Sequence, residues 1–351
     1  MNLFVNKETK KSKEKVIIHF ESLEELQEYL VKGKQLGNYI KCRKSTETMI
    51  ELIKKLPSEK IGTLIELIKA KLKDILISNN KFSQKLFELC NADQRMKVLT
   101  IINEQFVDIS MNKWGSFSLQ ALIKNLSLPE EHELIKKCIQ GKISELSINK
   151  RSNFVLQKIL IILNEKTIES LIEEMLHLFD SLICNALGIG LLKSFVFTIS
   201  SKEIREILLR KIKDNLKTLL ATPAGNGLIL QILEKFDIKS NEELITEIIS
   251  NLELYIQNSC SFYVLRKCII IANNKQIECI KENFFESKVV FLLINSQEGR
   301  ELLYLLYTKI PKTVKYDNLI YLEKTAKEMN INFSDEQLSK VIYKFIKDCT
   351  Q

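Results

Sequence analysis

Three segments of the sequence carry polar side chains at a spacing that suits hydrogen bonding to a flat ligand. Each places an amide or hydroxyl residue four positions before a glutamine, and residues four apart point the same way from a helix. The pairs are Asn80 with Gln84, Ser116 with Gln120, and Asn153 with Gln157. Two such groups match the Watson-Crick edge of a nucleobase, and a side chain beside them stacks on its face. The pattern therefore predicts one gripped base per segment.

The residue directly after the first polar member of each pair is the candidate for stacking. It is Phe117 or Phe154 in two segments and Lys81, a poorer stacker, in the first. Farther along, weaker copies predict base-edge contacts at Gln231 and Arg266, stacking at Tyr263, and phosphate contacts at Lys193 and Arg300. The structural alternative places the amides on a solvated helix face and the two phenylalanines in the core.

The copies recur at a nearly constant interval. Their anchor residues are Gln84, Gln120, Gln157, Lys193, Gln231, Arg266 and Tyr304, at successive spacings of 36, 37, 36, 38, 35 and 38 residues. A degenerate eighth copy lies at residues 45–56, with Ile50 in the anchor position. Apolar residues at helical spacing surround the anchors, and a unit of this length buries its apolar face only by stacking on its neighbours. The sequence predicts an all-α fold that stacks into a curved solenoid.

The segments "NKFSQKLFEL", "GSFSLQALI" and "SNFVLQKIL" resemble the inner-helix signature of Pumilio (PUF) repeats. The resemblance covers nearly the whole chain and implies a curved right-handed α-solenoid of about eight Pumilio-type repeats with capping helices. It also implies binding of single-stranded RNA that runs antiparallel to the repeats. In that family, Asn with Gln goes with uracil and a small residue with Gln goes with adenine. The three best copies therefore imply a 5′-UAU-3′ core.

Two branches of the family are open on this resemblance. The mRNA regulators read UGU through their C-terminal three repeats, and the last copies here do not match that pattern. Divergent nucleolar Pumilio-like proteins bind pre-ribosomal RNA during small-subunit assembly, and they combine an "SNFVLQ"-like repeat with a poorly conforming one, as "SINKRSNFVLQKIL" followed by "NALGIGLLKSFV" does here. We expect the second role, in the nucleus or nucleolus, with an mRNA 3′-untranslated-region regulator in the cytoplasm as the alternative. Ribosome-assembly or mRNA-decay proteins are the partners implied, and a monomer is expected.

Composition and charge bound the domain organisation. The chain has 351 residues, 45% of them hydrophobic, only 10 Gly and 4 Pro, and a formal net charge of +8. We predict a basic flexible tail over residues 1–20 and a single solenoid over 21–351, with a capping helix near 22–36 and a C-terminal cap over about 316–351. The Lys-rich residues 7–15 favour a solvated tail, with an import signal or a diffuse RNA contact as the alternative. No apolar stretch approaches 18 residues, so no membrane partner is predicted.

Motifs for catalysis or metal binding are missing from the sequence. Its three histidines are far apart, and its eight cysteines include no CxxC pair. We therefore predict no enzyme activity, no cofactor, no metal site and no disulfide, with the cysteines as small core residues. A HEAT- or armadillo-like protein scaffold is the second functional alternative.

Overall fold

Helices make up the part of the chain that the structure, a computed structural model, describes: residues 22, 24–26, 43–163, 165–284, 289, 292–293 and 296–309. The predicted tail over residues 1–20 and the predicted cap over 316–351 lie outside these residues. Of the predicted capping helix, residues 24–26 are helical, and the Glu25 N–H donates a hydrogen bond to the Ser22 Oγ at 3.1 Å.

The chain divides into two compact units, Met1–Leu178 and Phe179–Gln351. The described helices of the first unit are α1 (Arg43–Lys54), α2 (Ser58–Ile68), α3 (Leu72–Ser78), α4 (Asn80–Leu89), α5 (Ala92–Ile102), α6 (Phe106–Met111), α7 (Lys113–Lys124), α8 (Pro129–Ile139), α9 (Ile143–Ile148), α10 (Ser152–Ile162) and α11 (Glu169–His177). Those of the second unit are α12 (Phe179–Ile183), α13 (Ala186–Thr198), α14 (Lys202–Asp214), α15 (Leu216–Leu220), α16 (Pro223–Lys235), α17 (Ile238–Ser250), α18 (Leu252–Ile256), α19 (Phe262–Ile271), α20 (Asn274–Phe284) and α21 (Gln297–Lys309).

Each unit repeats one order of helices. A short helix leads into a helix that carries the predicted site residues, here called the site helix, and a backing helix follows it. In the first unit the site helices α1, α4, α7 and α10 pack on one another in sequence, as do the backing helices α2, α5 and α8. In the second unit the same holds for site helices α13, α16, α19 and α21 and for backing helices α14, α17 and α20. The repeats therefore share apolar cores with their neighbours.

Polar N-caps fix where several site helices begin. The side chains of Asn79, Asn112, Asn185 and Thr222 accept hydrogen bonds of 2.8 to 3.2 Å from backbone N–H groups two or three residues farther on. These side chains satisfy donors that the first helical turn leaves without a partner. Because each cap comes just before the candidate binding residues, it sets their rotational position on the helix.

One small residue near the start of most site helices packs against the carbonyl oxygen six residues earlier. Four site helices have a glycine in this place, and a Cβ atom added to it would collide with that oxygen. These glycines are Gly115, Gly188, Gly225 and Gly299. Serine fills the same place twice and donates a hydrogen bond to the oxygen: Ser152 to Leu146, and Ser261 to Tyr255. These six small residues lie 37, 36, 37, 36 and 38 residues apart. They define the repeat register independently of the polar anchors.

The cores are apolar and include several of the cysteines. The largest fully buried side chains include Phe82, Phe87 and Phe106 in the first unit. Cys90, Cys138 and Cys268 are buried as predicted, and burial raises the pKa of their thiols to about 12, 11 and 12 respectively. Cys184 is exposed instead, because it lies in the turn between α12 and the N-cap of α13.

Candidate nucleic-acid interface

The aromatic residues at the predicted stacking positions are exposed. Phe117, Phe154 and Tyr263 are 43%, 53% and 68% accessible to solvent, in contrast to the fully buried phenylalanines of the cores. An exposed aromatic ring recurring at one position of the repeat is unusual for a surface that meets only water. The core alternative for Phe117 and Phe154 is therefore excluded, while their role in stacking stays a prediction. Lys81 is exposed at the same position of the second repeat, counting the degenerate copy at residues 45–56 as the first.

Base-edge residues of the second and third repeats are positioned for hydrogen bonding. Asn80, Gln84 and Gln120 are half-buried, and their side chains make no hydrogen bond within the described residues. Ser116 is buried, and its hydroxyl donates a hydrogen bond to the Lys113 carbonyl at 3.1 Å. The second repeat thus keeps two amides with unused hydrogen-bonding capacity, four residues apart on α4.

The fourth repeat holds its pair differently. Asn153 is fully buried, and its Nδ2 donates a hydrogen bond to the Ser147 carbonyl at 2.8 Å. Its Oδ1 accepts a hydrogen bond from the Gln157 Nε2 at 2.5 Å. The structure therefore brings Asn153 and Gln157 together as the spacing predicts, but Asn153 supports the helix and Gln157 is the more accessible of the two.

The sixth repeat is shifted by one residue from the register that the sequence suggested. Gly225 occupies the small-residue place, so Asn226 rather than Gly227 aligns with Ser116 and Asn153. The Asn226 Nδ2 donates to the Leu220 carbonyl, six residues earlier, at 2.8 Å, which repeats the Asn153 contact. Gln231 lies one position beyond the base-edge place and donates to the Lys193 carbonyl of the preceding repeat at 2.6 Å.

The Lys193 side chain, from the anchor position of the fifth repeat, reaches the stacking position of the sixth repeat, which Gly227 occupies. A Cβ atom on Gly227 would collide with the Lys193 Nζ. The ammonium group is half-exposed and has no acidic partner among the described residues. This arrangement suits a phosphate contact better than base stacking. Arg266 is exposed on α19, and Arg300 is half-exposed on α21.

Positive charge accompanies these residues on two neighbouring site helices of the first unit. Lys81 on α4 and both Lys113 and Lys124 on α7 are exposed and form no ion pair within the described part of the chain. Together with the exposed rings, these lysines make the surface suited to a flat, negatively charged ligand.

Among the residues described, no cluster of three or more His, Cys, Asp or Glu side chains could hold a metal ion. None of the described helices is long and apolar enough to cross a membrane.

Trp114 is a candidate that the sequence pattern did not single out. It is an exposed aromatic residue one helical turn before Phe117, and the two ring centroids are 6.4 Å apart with their planes tilted by 37°. The Lys113 Nζ lies 4.6 Å from the centroid of the Trp114 ring. The residue is visible in the sequence segment "KWGSF", but the repeat pattern defines only one aromatic position per repeat.

Comparison with known proteins agrees with this geometry. Residues 63–196 match a family model described as a NOP9-like PUF repeat domain. Two curated relatives from Arabidopsis thaliana are Pumilio homolog 12, 26% identical over 62% of this chain, and putative pumilio homolog 8, chloroplastic, 23% identical over 58%. The chain covers 38% and 40% of these relatives, so it spans less than half of their length.

Solved structures with the same fold include two that hold RNA. A Puf4 RNA binding domain bound to the HO endonuclease RNA 3′ UTR recognition sequence has a TM-score of 0.72 and 20% identity, covering 87% of this chain and 97% of that one. PUF-8 in complex with PBE-RNA has a TM-score of 0.73 and 13% identity, covering 94% and 95%. At these identities the likeness shows the fold.

The fold and the repeated site helices together define an all-α solenoid of Puf-type repeats. This confirms the predicted fold class, and the repeats are of the Puf type rather than the HEAT or armadillo type. The match to a PUF repeat model over residues 63–196, the similarity to Pumilio homologues and the shared fold support a Pumilio-repeat family member, as the site-helix motifs indicated.

Proposed function

We propose that this chain binds single-stranded RNA along its site helices, with one base for each conforming repeat. The exposed rings at one repeated position carry the proposal, because base stacking explains why Phe117, Phe154 and Tyr263 share it. The amides of Asn80, Gln84 and Gln120 lie at the neighbouring positions that would meet base edges. The RNA-bound relatives of the same fold support this assignment.

The repeats differ in what they offer to RNA. The third and fourth repeats combine an accessible base-edge glutamine with an exposed ring, and the second combines two base-edge amides with Lys81, which favours sequence reading in these three. The sixth repeat has Gly227 under the Lys193 ammonium, which favours a phosphate contact without base reading. The protein would therefore read a short UAU core and bind the adjoining nucleotides through the phosphates of the RNA.

Pre-ribosomal RNA in small-subunit biogenesis is the target class that we favour, with action in the nucleus or nucleolus. The NOP9-like description of the matching model supports it, as does the resemblance to divergent nucleolar Pumilio-like proteins. Regulation of mRNA through 3′-untranslated regions is the second candidate, supported by the 3′ UTR sequence bound in the Puf4 structure.

Crosslinking of RNA to the protein in cells, with sequencing of the recovered RNA, separates the two targets. We expect reads concentrated in ribosomal precursor RNA. Reads concentrated in mRNA tails around UAU would contradict the ribosomal role and establish the regulator. Recovery of no RNA above a mock-purified control would contradict both.

A change of base preference at one nucleotide tests the reading of one base per repeat. The double substitution Asn80→Ser and Gln84→Glu is expected to move preference from UAU toward UAG by about tenfold, since the family code pairs Ser and Glu with guanine and one base-edge pair contributes about that much. Both side chains are half-buried without hydrogen bonds in the described structure, so the fold should be kept. Competition binding with RNAs that vary at each position measures the change.

Gln140→Glu is the matched control for the added negative charge, because Gln140 is exposed at the end of backing helix α8. The control should leave base preference unaltered. A preference that shifts at several nucleotides, or at none, would show that α4 does not read a single base.

A further inference from the structure

Trp114 occupies an exposed position for which the one-base-per-repeat arrangement has no use. Its ring is 42% accessible at the start of site helix α7, one turn before Phe117. The backbone there is fixed, because the Asn112 Oδ1 accepts a hydrogen bond from the Trp114 N–H at 2.8 Å. A large ring held in this way on the same helix as a stacking residue calls for a ligand contact.

The direction of Trp114 points to the second repeat. Successive residues of a helix are rotated by about 100°, so Trp114 lies about 60° from Phe117 toward the side on which Ser118 lies. That side faces the second repeat, because the Ser118 hydroxyl donates a hydrogen bond to the Leu76 carbonyl of α3 at 2.9 Å. The tryptophan side chain therefore leaves α7 on the side of the preceding repeat, whose site helix α4 packs against α7.

The second repeat lacks what Trp114 could supply. Asn80 and Gln84 present base-edge groups, but the residue beside them is Lys81, which has no ring to stack on a base. Trp114 and Phe117 place two exposed rings on α7, the site helix that packs against α4. The Lys113 ammonium, which lies over the tryptophan ring, adds a positive charge beside it that suits the phosphate of a stacked nucleotide.

We propose that Trp114 is a second aromatic RNA contact of the third repeat, and that it packs on the nucleobase held by Asn80 and Gln84. The ligand class is a pyrimidine nucleotide of single-stranded RNA, at the 3′ end of the UAU core. The inference rests on the proposed RNA-binding function. It adds a contact from a neighbouring repeat that compensates for the missing ring at Lys81.

Intrinsic fluorescence provides a direct test, because Trp114 is the one tryptophan in the sequence. Binding of a short UAU-containing RNA, followed independently by anisotropy of a labelled RNA, should quench the tryptophan emission. Trp114→Ala should weaken binding by a factor of about 5 to 150, the equivalent of one base stack. Trp114→Phe should reduce RNA affinity less than Trp114→Ala does, because phenylalanine keeps an aromatic ring at this position.

The control is Leu67→Ala on backing helix α2, where the side chain is exposed to a similar extent, 37%. It should change affinity by less than about twofold, as expected of a surface substitution away from the ligand. Circular dichroism of each variant checks that the fold is kept.

RNAs that lack the base at one nucleotide identify the base that Trp114 contacts. If Trp114 packs on the base at the second repeat, the loss caused by Trp114→Ala should vanish on an RNA that is abasic at the 3′ nucleotide of UAU and persist on one that is abasic at the central nucleotide. Unchanged emission and affinity, in a protein that still binds RNA by anisotropy, would overturn the inference and leave the proposed function standing. No RNA binding by the unaltered protein would overturn both.

Discussion

Replacement of Phe154 by alanine is expected to cost about 1 to 3 kcal/mol of RNA-binding free energy without lowering the stability of the fold. The ring is more than half exposed, so it contributes little to the core, whereas stacking on a base would bury most of its face. Titration of labelled single-stranded RNA measures the loss in binding. Chemical denaturation of the same samples measures the stability.

Phe197→Ala is the matched control, since Phe197 is 61% exposed in the last turn of site helix α13, far along the helix from the stacking position. It removes the same side chain from a similarly exposed place and should leave RNA affinity nearly unaltered. Equal losses in Phe154→Ala and Phe197→Ala would mean that exposed apolar area, rather than the stacking position, determines binding.

Phe117→Ala should behave like Phe154→Ala. The double substitution should lose about the sum of the two single losses, because each ring would stack on the base held by its own repeat. A loss well below the sum would indicate that the two rings contact one nucleotide.

Arg95→Met is expected to lower the free energy of unfolding by about 3 to 5 kcal/mol, because it leaves a buried carboxylate without its partner. The Arg95 Nε lies 2.7 Å from the Glu131 Oε1, and both side chains are buried between backing helices α5 and α8. Arg95 also donates hydrogen bonds to the Cys90 carbonyl and the Ser127 Oγ, both at 2.8 Å. Urea denaturation followed by circular dichroism measures the change.

Adding Glu131→Gln to Arg95→Met should recover most of this stability. Glu131 also caps α8 by accepting hydrogen bonds from the Ser127 and Leu128 N–H groups, and a glutamine oxygen can accept these too. Gln94 and Gln276 cap their own backing helices from the equivalent position. A double variant no more stable than Arg95→Met would show that the lost arginine contacts, and not the unpaired carboxylate, cause the effect.

Low pH should destabilise the folded protein through the Glu131 carboxylate. Burial by itself would raise the pKa of Glu131, but the hydrogen bonds from Arg95, Ser127 and Leu128 outweigh it and hold the pKa below its usual value. Because the pKa is lower in the folded state, the stabilisation is fully present above the unfolded value of about 4.3 and is lost as pH falls through the folded value. The Arg95→Met, Glu131→Gln protein should lack this part of the acid destabilisation.

Much of this architecture follows from local pattern. Gln84, Gln120 and Gln157 recur with their partner residues at near-constant spacing, which was sufficient to predict helical repeats and the family. The glycine and serine residues that pack against the carbonyl six positions earlier are spaced more evenly along the chain than the polar anchors, and therefore define the repeat register better. Alignment on Gly225 places Asn226, rather than Gly227, at the first base-edge position of the sixth repeat.

Other features depend on contacts that no spacing reveals. The amide of Asn153 is used on the Ser147 carbonyl, and this depends on how α9 meets α10. The Arg95 and Glu131 pair joins residues of successive repeats, and the sequence shows them only as two of many charged residues. Trp114 shows a different limit, because its residue type was visible but its exposure and direction were not.

Equilibrium binding of a short single-stranded RNA with a central UAU, compared with the same RNA carrying CCC in its place, tests the central claim most directly. Titrations at several salt concentrations should show tighter binding of the UAU RNA by about tenfold or more, since each base-edge pair contributes about that factor. For both RNAs the logarithm of the association constant should fall with the logarithm of salt, by about 0.7 for each phosphate contact. Equal affinity for the two RNAs at every salt concentration, or no binding of either, would contradict the account of a protein that reads RNA bases through its site helices.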